Sequence, residues 1–568
     1  MIHPTPAIVP QSAVRTLPRW ALLLLCIAYV VPGFVGRDPW KNADVSAFGY
    51  MQELALGRTP WMAPLLGGQP PDTEGLLPYW LGAWSLKLFS PMLSPEMASR
   101  LPFMAMLVIT LVATWYAAYY LARSPGAQPV AFAFGGEARP TDYARAMADA
   151  GLLALIASLG LAQFSHEITS YVTQLTCSTL VFFAAAALPY RTVAPVAAAA
   201  AGLFGMVLSG APALAVLLGL GGAALVQWSA ADTPRNRTPW AATLVALTLL
   251  SALLAWKLEL WRWRIVDAEG AKEWQSLARL LLWFSWPTWP LALWTLWRWR
   301  RQIVSRELHR HLLLPLWFAG VAVAATLTTQ PADRAMLLGL PALAILAAFA
   351  LPTLRRSISA LIDWFTLLFF SVSAITIWVI WLSVHTGVPA KPAANVAKLA
   401  PGFVPSFSLL AFVVALAATV AWCALVWWRA SRNRAAIWKS LVLPAGGAVL
   451  GWVMLMTLWL PLLDYGRSYG PQMRMVAQTI GPDAGCVGTY GLSRAQIAAL
   501  QYQAGLDVAP GQRSEACRWL VADATVQPPV FTVLSRKEWK QVADILRPTD
   551  KNDRLLVLRR TKPPAPAR

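Results

Sequence analysis

The chain has 568 residues, of which 57% are hydrophobic and 13% are charged. In soluble proteins about a quarter of all residues are charged. This composition therefore excludes an ordinary soluble protein and predicts a polytopic helical membrane protein. The formal net charge of +20 does not indicate a nucleic-acid partner, because the basic residues cluster between apolar runs as the positive-inside rule requires.

Apolar runs near the ~20 residues that cross a bilayer recur along most of the chain. We predict thirteen spanning helices, at 18–35, 99–122, 146–164, 172–189, 191–209, 211–228, 240–256, 279–298, 311–328, 334–353, 358–384, 405–428 and 439–461. An odd number places the termini on opposite sides of the membrane. With the amino terminus in the cytoplasm, the clusters at 298–310, 355–356 and 429–439 all fall in cytoplasmic loops.

The first long loop, residues 36–98, lies on the other side and is amphipathic. Phe48, Met51 and Leu54 recur at helical spacing. A second helical pattern covers 76–90, and its tryptophans and Lys87 are typical of a helix that lies along the headgroups.

Composition changes after Leu463, which divides the chain into a transmembrane domain, 1–463, and a tail, 464–568. The tail holds helical patterns at 469–480 and 493–504 and short apolar runs at 519–522, 530–533 and 555–558, so we predict a small soluble α/β domain of roughly 100 residues. Cys486 and Cys517 are the only cysteines of the tail. In an oxidising compartment such an isolated pair predicts a disulfide.

Ionisable residues at the ends of spanning helices are functional candidates. On the side of the 36–98 loop they are Asp44, Asp72, Glu74, His166, Glu167, Arg262, Arg264, Asp333, Arg334 and His385. The sequence has neither the G-x-S-x-G motif of a serine hydrolase nor the H-E-x-x-H motif of a zinc protease. We therefore predict no metal-ligand set.

Three motifs of the 36–98 loop follow one another in a fixed order: the acid Asp44, then Trp61-Met-Ala-Pro64, then Pro78-Tyr79-Trp80. This order resembles the GT-C glycosyltransferases, in particular the bacterial lipid A aminoarabinose transferases and the protein O-mannosyltransferases. Asp333-Arg334 and Trp261-Arg262-Trp263-Arg264 resemble later segments of that family. The resemblance covers roughly residues 17–460.

The resemblance implies an all-α polytopic membrane protein with the GT-C fold and a small periplasmic α/β domain, in the bacterial inner membrane. It implies that a sugar passes, with inversion, from a polyprenyl-phosphate carrier to a lipid A, glycan or protein acceptor. A carboxylate would accept the acceptor's proton or hold a divalent cation, and cations would stabilise the leaving phosphate. The residues implied are Asp44 and Glu167 as catalytic acids, and Glu74, Tyr79, Trp80, Arg262, Arg264 and Arg334 as substrate contacts.

The sequence also departs from the family at charged positions. Val45, Glu74, Tyr171 and Ser209 stand where the family has an acid, a lysine, an aspartate and a lysine. These departures favour an alternative, a non-catalytic GT-C-like protein that binds the carrier lipid or a partner. A transporter is disfavoured because the chain shows no paired internal repeats.

Each candidate residue also has a structural interpretation. Asp44 is a favoured residue type for a helix N-cap, Arg262 and Arg264 lie among tryptophans as interfacial anchors do, and Arg334 follows a potential partner, Asp333. The sequence leaves the sugar, the acceptor and the oligomeric state open.

Overall fold

The structure is a computed structural model, and it describes residues 5–72, 75–229, 237–261, 271–329, 332–431, 436–482, 485–509 and 517–561. Three of the predicted substrate contacts, Glu74, Arg262 and Arg264, lie outside the described residues, as does the side chain of Asp333.

The described helices are mostly long and apolar. Up to residue 257 they are α1 Arg19–Val30, α2 Ala43–Ala55, α3 Leu77–Phe89, α4 Pro95–Ala122, α5 Pro140–Ala157, α6 Leu159–Phe164, α7 Ser170–Ala187, α8 Val193–Leu208, α9 Pro212–Trp228 and α10 Arg237–Lys257. From there to residue 455 they are α11 Ala271–Phe284, α12 Thr288–Arg298, α13 Arg300–Ile303, α14 Arg310–Thr328, α15 Ala332–Met336, α16 Leu340–Ala350, α17 Arg356–Thr386, α18 Ala390–Leu399, α19 Leu409–Ser431 and α20 Lys439–Leu455.

The remaining elements include both helices and strands, as an α/β tail requires. They are α21 Leu460–Arg467, α22 Gly470–Ile480, β1 Cys486–Tyr490, α23 Arg494–Tyr502, β2 Asp507–Ala509, β3 Trp519–Asp523, α24 Val530–Val533, β4 Trp539–Arg547 and β5 Asp550–Arg560.

Seven helical segments of the described chain are long and apolar enough to cross a membrane, and an eighth is possible if α20 and α21, bent by 70°, form one span. Three further predicted spans fall on shorter apolar helices: α1, α8 and α9. The predicted spans at 146–164 and 279–298 are each interrupted, between α5 and α6 and between α11 and α12.

The two interrupted helices meet at their breaks. The Leu159 backbone N–H donates to the carbonyl of Trp286 at 3.1 Å. Gly160 faces Phe284 so closely that a Cβ at this position would lie 2.3 Å from the ring. Irregular backbone within a membrane is tolerated where other protein groups satisfy its hydrogen bonds. Here a carbonyl at one break accepts a hydrogen bond from an N–H at the other.

The contacts divide the chain into two compact units. The helical unit comprises Met1–Phe34, Phe103–Ile375 and Val413–Met454. Helix α16 is its most completely buried helix. Helices α5, α12 and α14 pack against it.

The loop–tail unit comprises Val35–Pro102, Thr376–Phe412 and Leu455–Arg568. It therefore holds both the 36–98 loop and the soluble tail. Within it α2 packs against α3 and against α23 of the tail. The Phe48 and Tyr502 rings lie 4.6 Å apart edge to face, and a Cβ at Gly49 would lie 2.7 Å from Ala498 Cβ. The predicted domain boundary at 463/464 stays a prediction.

The tail folds around a five-stranded sheet of order β2-β1-β3-β5-β4. Strands β2, β1 and β3 are parallel, whereas β5 runs antiparallel to both β3 and β4. Helix α23 connects β1 to β2, and a capping box of Ser493 and Gln496 fixes its first turn. One predicted apolar run, 530–533, forms the helical turn α24 instead of a strand.

Cys486 and Cys517 are joined by a disulfide, with their Cα atoms 5.2 Å apart. Cys486 opens β1, and Cys517 precedes β3, the strand beside it. The bond therefore ties together the ends of two neighbouring parallel strands.

Candidate active site

Asp44, the predicted catalytic acid, lies in the first turn of α2, where a helix dipole favours a negative charge. The N-cap of α2 is Asn42, so Asp44 is not that cap. Its side chain is buried, and Oδ2 accepts hydrogen bonds from Arg37 Nη2 at 3.0 Å and from the Trp40 backbone N–H at 3.1 Å. The carboxylate is thus oriented by two donors from the segment just before its own helix.

Trp40 lies at the centre of the charged groups around this pair. Its indole Nε1–H donates to Asp464 Oδ1 at 2.6 Å. The guanidinium groups of Arg37 and Arg467 lie over its ring at 4.5 Å and 5.0 Å, which is cation–π geometry. Arg100, itself buried, donates from Nη1 to the Arg37 carbonyl.

Arg37, Arg100 and Asp464 are site residues that sequence reasoning missed. Arg37 had a local signal, since it stands seven positions before Asp44 and opens the same polar loop. Arg100 had a weaker signal as an arginine near the start of an apolar helix. Asp464 had none, because it stands 424 positions after Trp40 and only the fold brings them together.

The predicted rim residues Tyr79 and Trp80 lie on α3, which begins with Pro78 in its first turn. Tyr79 is buried, with its ring 5.3 Å from that of Tyr50. Trp80 donates from Nε1 to the carbonyl of Trp61 at 2.7 Å.

Lys87 lies 5.1 Å from the centre of the Trp61 ring, and half-exposed Trp84 stacks on the same ring. An exposed aromatic surface beside a lysine suits the headgroup region, as the 76–90 pattern predicts.

Glu167 and Arg334 form a bidentate ion pair in the helical unit. Arg334 Nε donates to Glu167 Oε2 at 2.9 Å, and Nη2 donates to Oε1 at 3.0 Å. The guanidinium also lies 5.3 Å from the centre of the Phe164 ring. Glu167 precedes α7 and Arg334 lies in α15, so the fold supplies a partner other than the neighbouring Asp333.

His166 is fully buried next to Glu167. Its Nε2 lies 3.1 Å and 3.2 Å from the carbonyl oxygens of Tyr29 and Val30, and its Nδ1 lies 2.5 Å from that of Ala162. Tyr29 and Val30 end α1, where the helix dipole favours a positive charge. The imidazole ring therefore joins the segment before α7 to the carboxyl-terminal end of α1.

Side chains of the tail form ion pairs and a hydrogen bond with side chains of the 36–98 loop. Arg494 pairs with Asp72, and Lys41 Nζ lies 2.7 Å from Asp550 Oδ2. The Tyr502 hydroxyl donates to Glu96 Oε1, and burial raises the pKa of that phenol. Burial also raises the pKa of Glu53, on α2.

The predicted site residues are therefore divided between the two units. Asp44, Tyr79 and Trp80 belong to the loop–tail unit, whereas Glu167 and Arg334 belong to the helical unit. Within the described ranges, no three His, Cys, Asp or Glu side chains come together as a metal site would need.

No family model matches the chain, and no curated protein matches it in sequence. Among solved structures, it is similar to ArnT from Cupriavidus metallidurans bound to undecaprenyl phosphate, with a TM-score of 0.60 at 15% identity, over 97% of this chain and 99% of that one. The apo state of the same ArnT matches with a TM-score of 0.59 at 16% identity, over 95% and 98%. The chain is an integral membrane protein with the GT-C fold, in a divergent sequence.

Proposed function

We propose that the chain is a glycosyltransferase that moves a sugar from a polyprenyl-phosphate carrier to an acceptor on the periplasmic side of a bacterial inner membrane. The observation that carries the proposal is the similarity to ArnT, a protein crystallised with undecaprenyl phosphate, over nearly the full length of both chains. The proposal is also supported by Asp44, an acid in the first turn of α2 that is paired with Arg37.

In this proposal Asp44 accepts the acceptor's proton as the sugar is transferred with inversion. A general base must lie within hydrogen-bond reach of the proton that it takes. Arg37 and the Trp40 amide hold Asp44 Oδ2 in one position, so the carboxylate does not have to be ordered when the acceptor arrives. Glu167 is the proposed second acid.

The leaving carrier phosphate needs cations where its charge develops. Arg262, Arg264 and Arg334 are the proposed contacts, and Arg334 would have to share its guanidinium between the phosphate and Glu167. Glu74, Tyr79 and Trp80 are proposed to line the edge of the donor groove. The Trp61 and Trp84 rings beside Trp80 offer an apolar surface to a prenyl chain.

The test is transfer of labelled sugar from the carrier in membranes that contain each variant. Asp44→Asn keeps the shape of the side chain and removes the base, so we expect transfer to fall by at least about 100-fold, the lower end for general base catalysis. Asp72→Asn is the matched control, since Asp72 lies in the same loop and its side chain is 74% exposed. Full activity of Asp44→Asn would exclude Asp44 as the base.

A second candidate is a non-catalytic GT-C protein that binds the carrier lipid. It is favoured by the Glu167–Arg334 pair, in which the second acid and a phosphate-binding cation neutralise each other. Native mass spectrometry with undecaprenyl phosphate separates the two candidates. Binding without transfer from any carrier-linked sugar supports the second, and any transfer that Asp44→Asn abolishes supports the first.

A further inference from the structure

A cavity of about 820 Å³ lies within the helical unit, where three long helices begin or end. Its charged lining residues are Arg356, the first residue of α17, Arg429, near the end of α19, Lys439, the first residue of α20, and Asp363. Among the described residues, three cations thus face the cavity with one acid. Of the predicted catalytic acids and substrate contacts, none that the structure describes lines it.

Asp363, the acid of this set, is already paired with Arg429. Arg429 Nη2 donates to Asp363 Oδ2, and both side chains are 16% exposed. Arg429 Nε and Asp363 Oδ1 are buried and have no hydrogen-bond partner among the described residues. A buried N–H without a partner is costly, so an acceptor oxygen brought to Arg429 would be stabilised.

Two helix amino termini add to the positive potential of the cavity. Both α17 and α20 begin at its wall, and Ser359 and Ser440 from their first turns hydrogen-bond to each other. The amino-terminal end of a helix carries about half a positive charge and favours anions. With Arg356 and Lys439 on the same two ends, the cavity selects a negatively charged group.

The helices around the cavity face lipid. Only 22% of the most apolar window of α17 is buried in protein, and only 11% of that of α19. Trp364, which lines the cavity, is 65% exposed, and Trp427 is 73% exposed. Exposed tryptophans near basic helix ends mark the level of the lipid headgroups.

We propose that this cavity binds the phosphate headgroup of an anionic glycerophospholipid, with Arg356, Arg429 and Lys439 as its ligands. Leu367, Val426 and Leu443 supply the apolar part of the wall, beside which the acyl chains would lie. Basic pockets between transmembrane helices at the cytoplasmic face bind such headgroups, and the positive-inside rule places these helix ends at that face.

The test uses the full-length protein, delipidated in a neutral detergent and titrated by native mass spectrometry. Phosphatidylglycerol should bind at one site at least about tenfold more tightly than phosphatidylcholine with the same chains. The double variant Arg356→Ala/Lys439→Ala should lose at least about tenfold of that affinity. The matched control, Arg301→Ala/Arg306→Ala, removes two exposed charges from another basic loop and should change nothing.

Three results would overturn the proposal: equal binding of the two lipids, an equal loss in the control variant, or displacement of phosphatidylglycerol by glycerol 1-phosphate or by equimolar undecaprenyl phosphate. If the alanine variant does not fold, Arg356→Lys/Lys439→Arg keeps both charges and should keep the affinity. The Asp44→Asn variant should bind phosphatidylglycerol like the unmodified protein, so the result does not depend on sugar transfer.

Discussion

The two predicted catalytic acids, Asp44 and Glu167, are each paired with an arginine, and the two pairs are built in different ways. Arg37 and Asp44 stand seven residues apart, and their side chains are 1% and 2% exposed. Glu167 and Arg334 stand 167 residues apart, are 8% and 16% exposed, and meet through two parallel hydrogen bonds. The first pair is made by one loop segment and is sealed from solvent. The second is made by the fold and is less completely buried, mainly at Arg334, so the two should respond differently to substitution.

Arg37→Ala should have the largest effect on stability, because it removes the guanidinium that donates to the buried Asp44 carboxylate. Breaking such a pair costs about 3–5 kcal/mol. Thermal unfolding of the purified protein in detergent measures this loss. Arg58→Ala is the control, since Arg58 pairs with Glu53 in the same loop but its side chain is 56% exposed. Equal losses in the two variants would show that burial does not distinguish the pairs.

Arg334→Ala should cost less, about 2–3 kcal/mol, because the Glu167–Arg334 pair is less completely buried than the Arg37–Asp44 pair. The same unfolding measurement applies. The double variant Glu167→Gln/Arg334→Ala should lose less than the two single variants added together, since no charge is left without a partner. Strict additivity would mean that the two side chains do not interact in solution.

Arg334→Lys should cost about 1 kcal/mol. The lysine keeps the charge but cannot reproduce two parallel hydrogen bonds to one carboxylate. Unfolding of this variant beside Arg334→Ala separates the contribution of geometry from that of charge. If the lysine variant were as unstable as the alanine variant, the geometry of the two hydrogen bonds would account for all of the stabilisation.

Lys41→Ala should have the smallest effect, below about 1 kcal/mol, because the Lys41–Asp550 pair is partly exposed. The other acid near Lys41 Nζ, Asp553 at 3.5 Å, keeps Arg547 at 3.6 Å. Hydrogen bonds from Lys41 and from the Asn552 backbone lower the pKa of Asp550. A lowered pKa adds stability above the unfolded value near 4, and this stability is lost as the pH falls through the lowered value. Unfolding at pH 7, 5 and 3 should therefore show a smaller difference between Lys41→Ala and the unmodified protein at pH 3 than at pH 5 and 7.

Much of the fold could be predicted from hydrophobic periodicity. The pattern over 76–90 corresponds to α3, Leu77–Phe89, and the pattern over 469–480 to α22, Gly470–Ile480. The run 530–533 could not be assigned correctly, because four apolar residues fit a strand or a helical turn equally well. The break at Ser158 was also missed, since it depends on a partner at Trp286 and not on a local breaker.

For the site, the sequence indicated residues but not their partners. Asp44 was found from its loop, whereas its cation Arg37 was not, although both stand in one segment. That Glu167 pairs with Arg334 required the fold, because no local signal links the segment before α7 to α15. Long-range ion pairs depend on how the helices pack, and hydrophobic periodicity alone does not determine that packing.

Gly33 shows how tightly the buried His166 is enclosed. A Cβ at position 33 would lie 2.2 Å from His166 Cδ2 and 2.6 Å from the Trp452 ring, closer than atoms can approach. Three residues far apart in sequence thus share one space. In related chains, positions 33, 166 and 452 should vary together: a larger residue at 33 should accompany smaller ones at the other two.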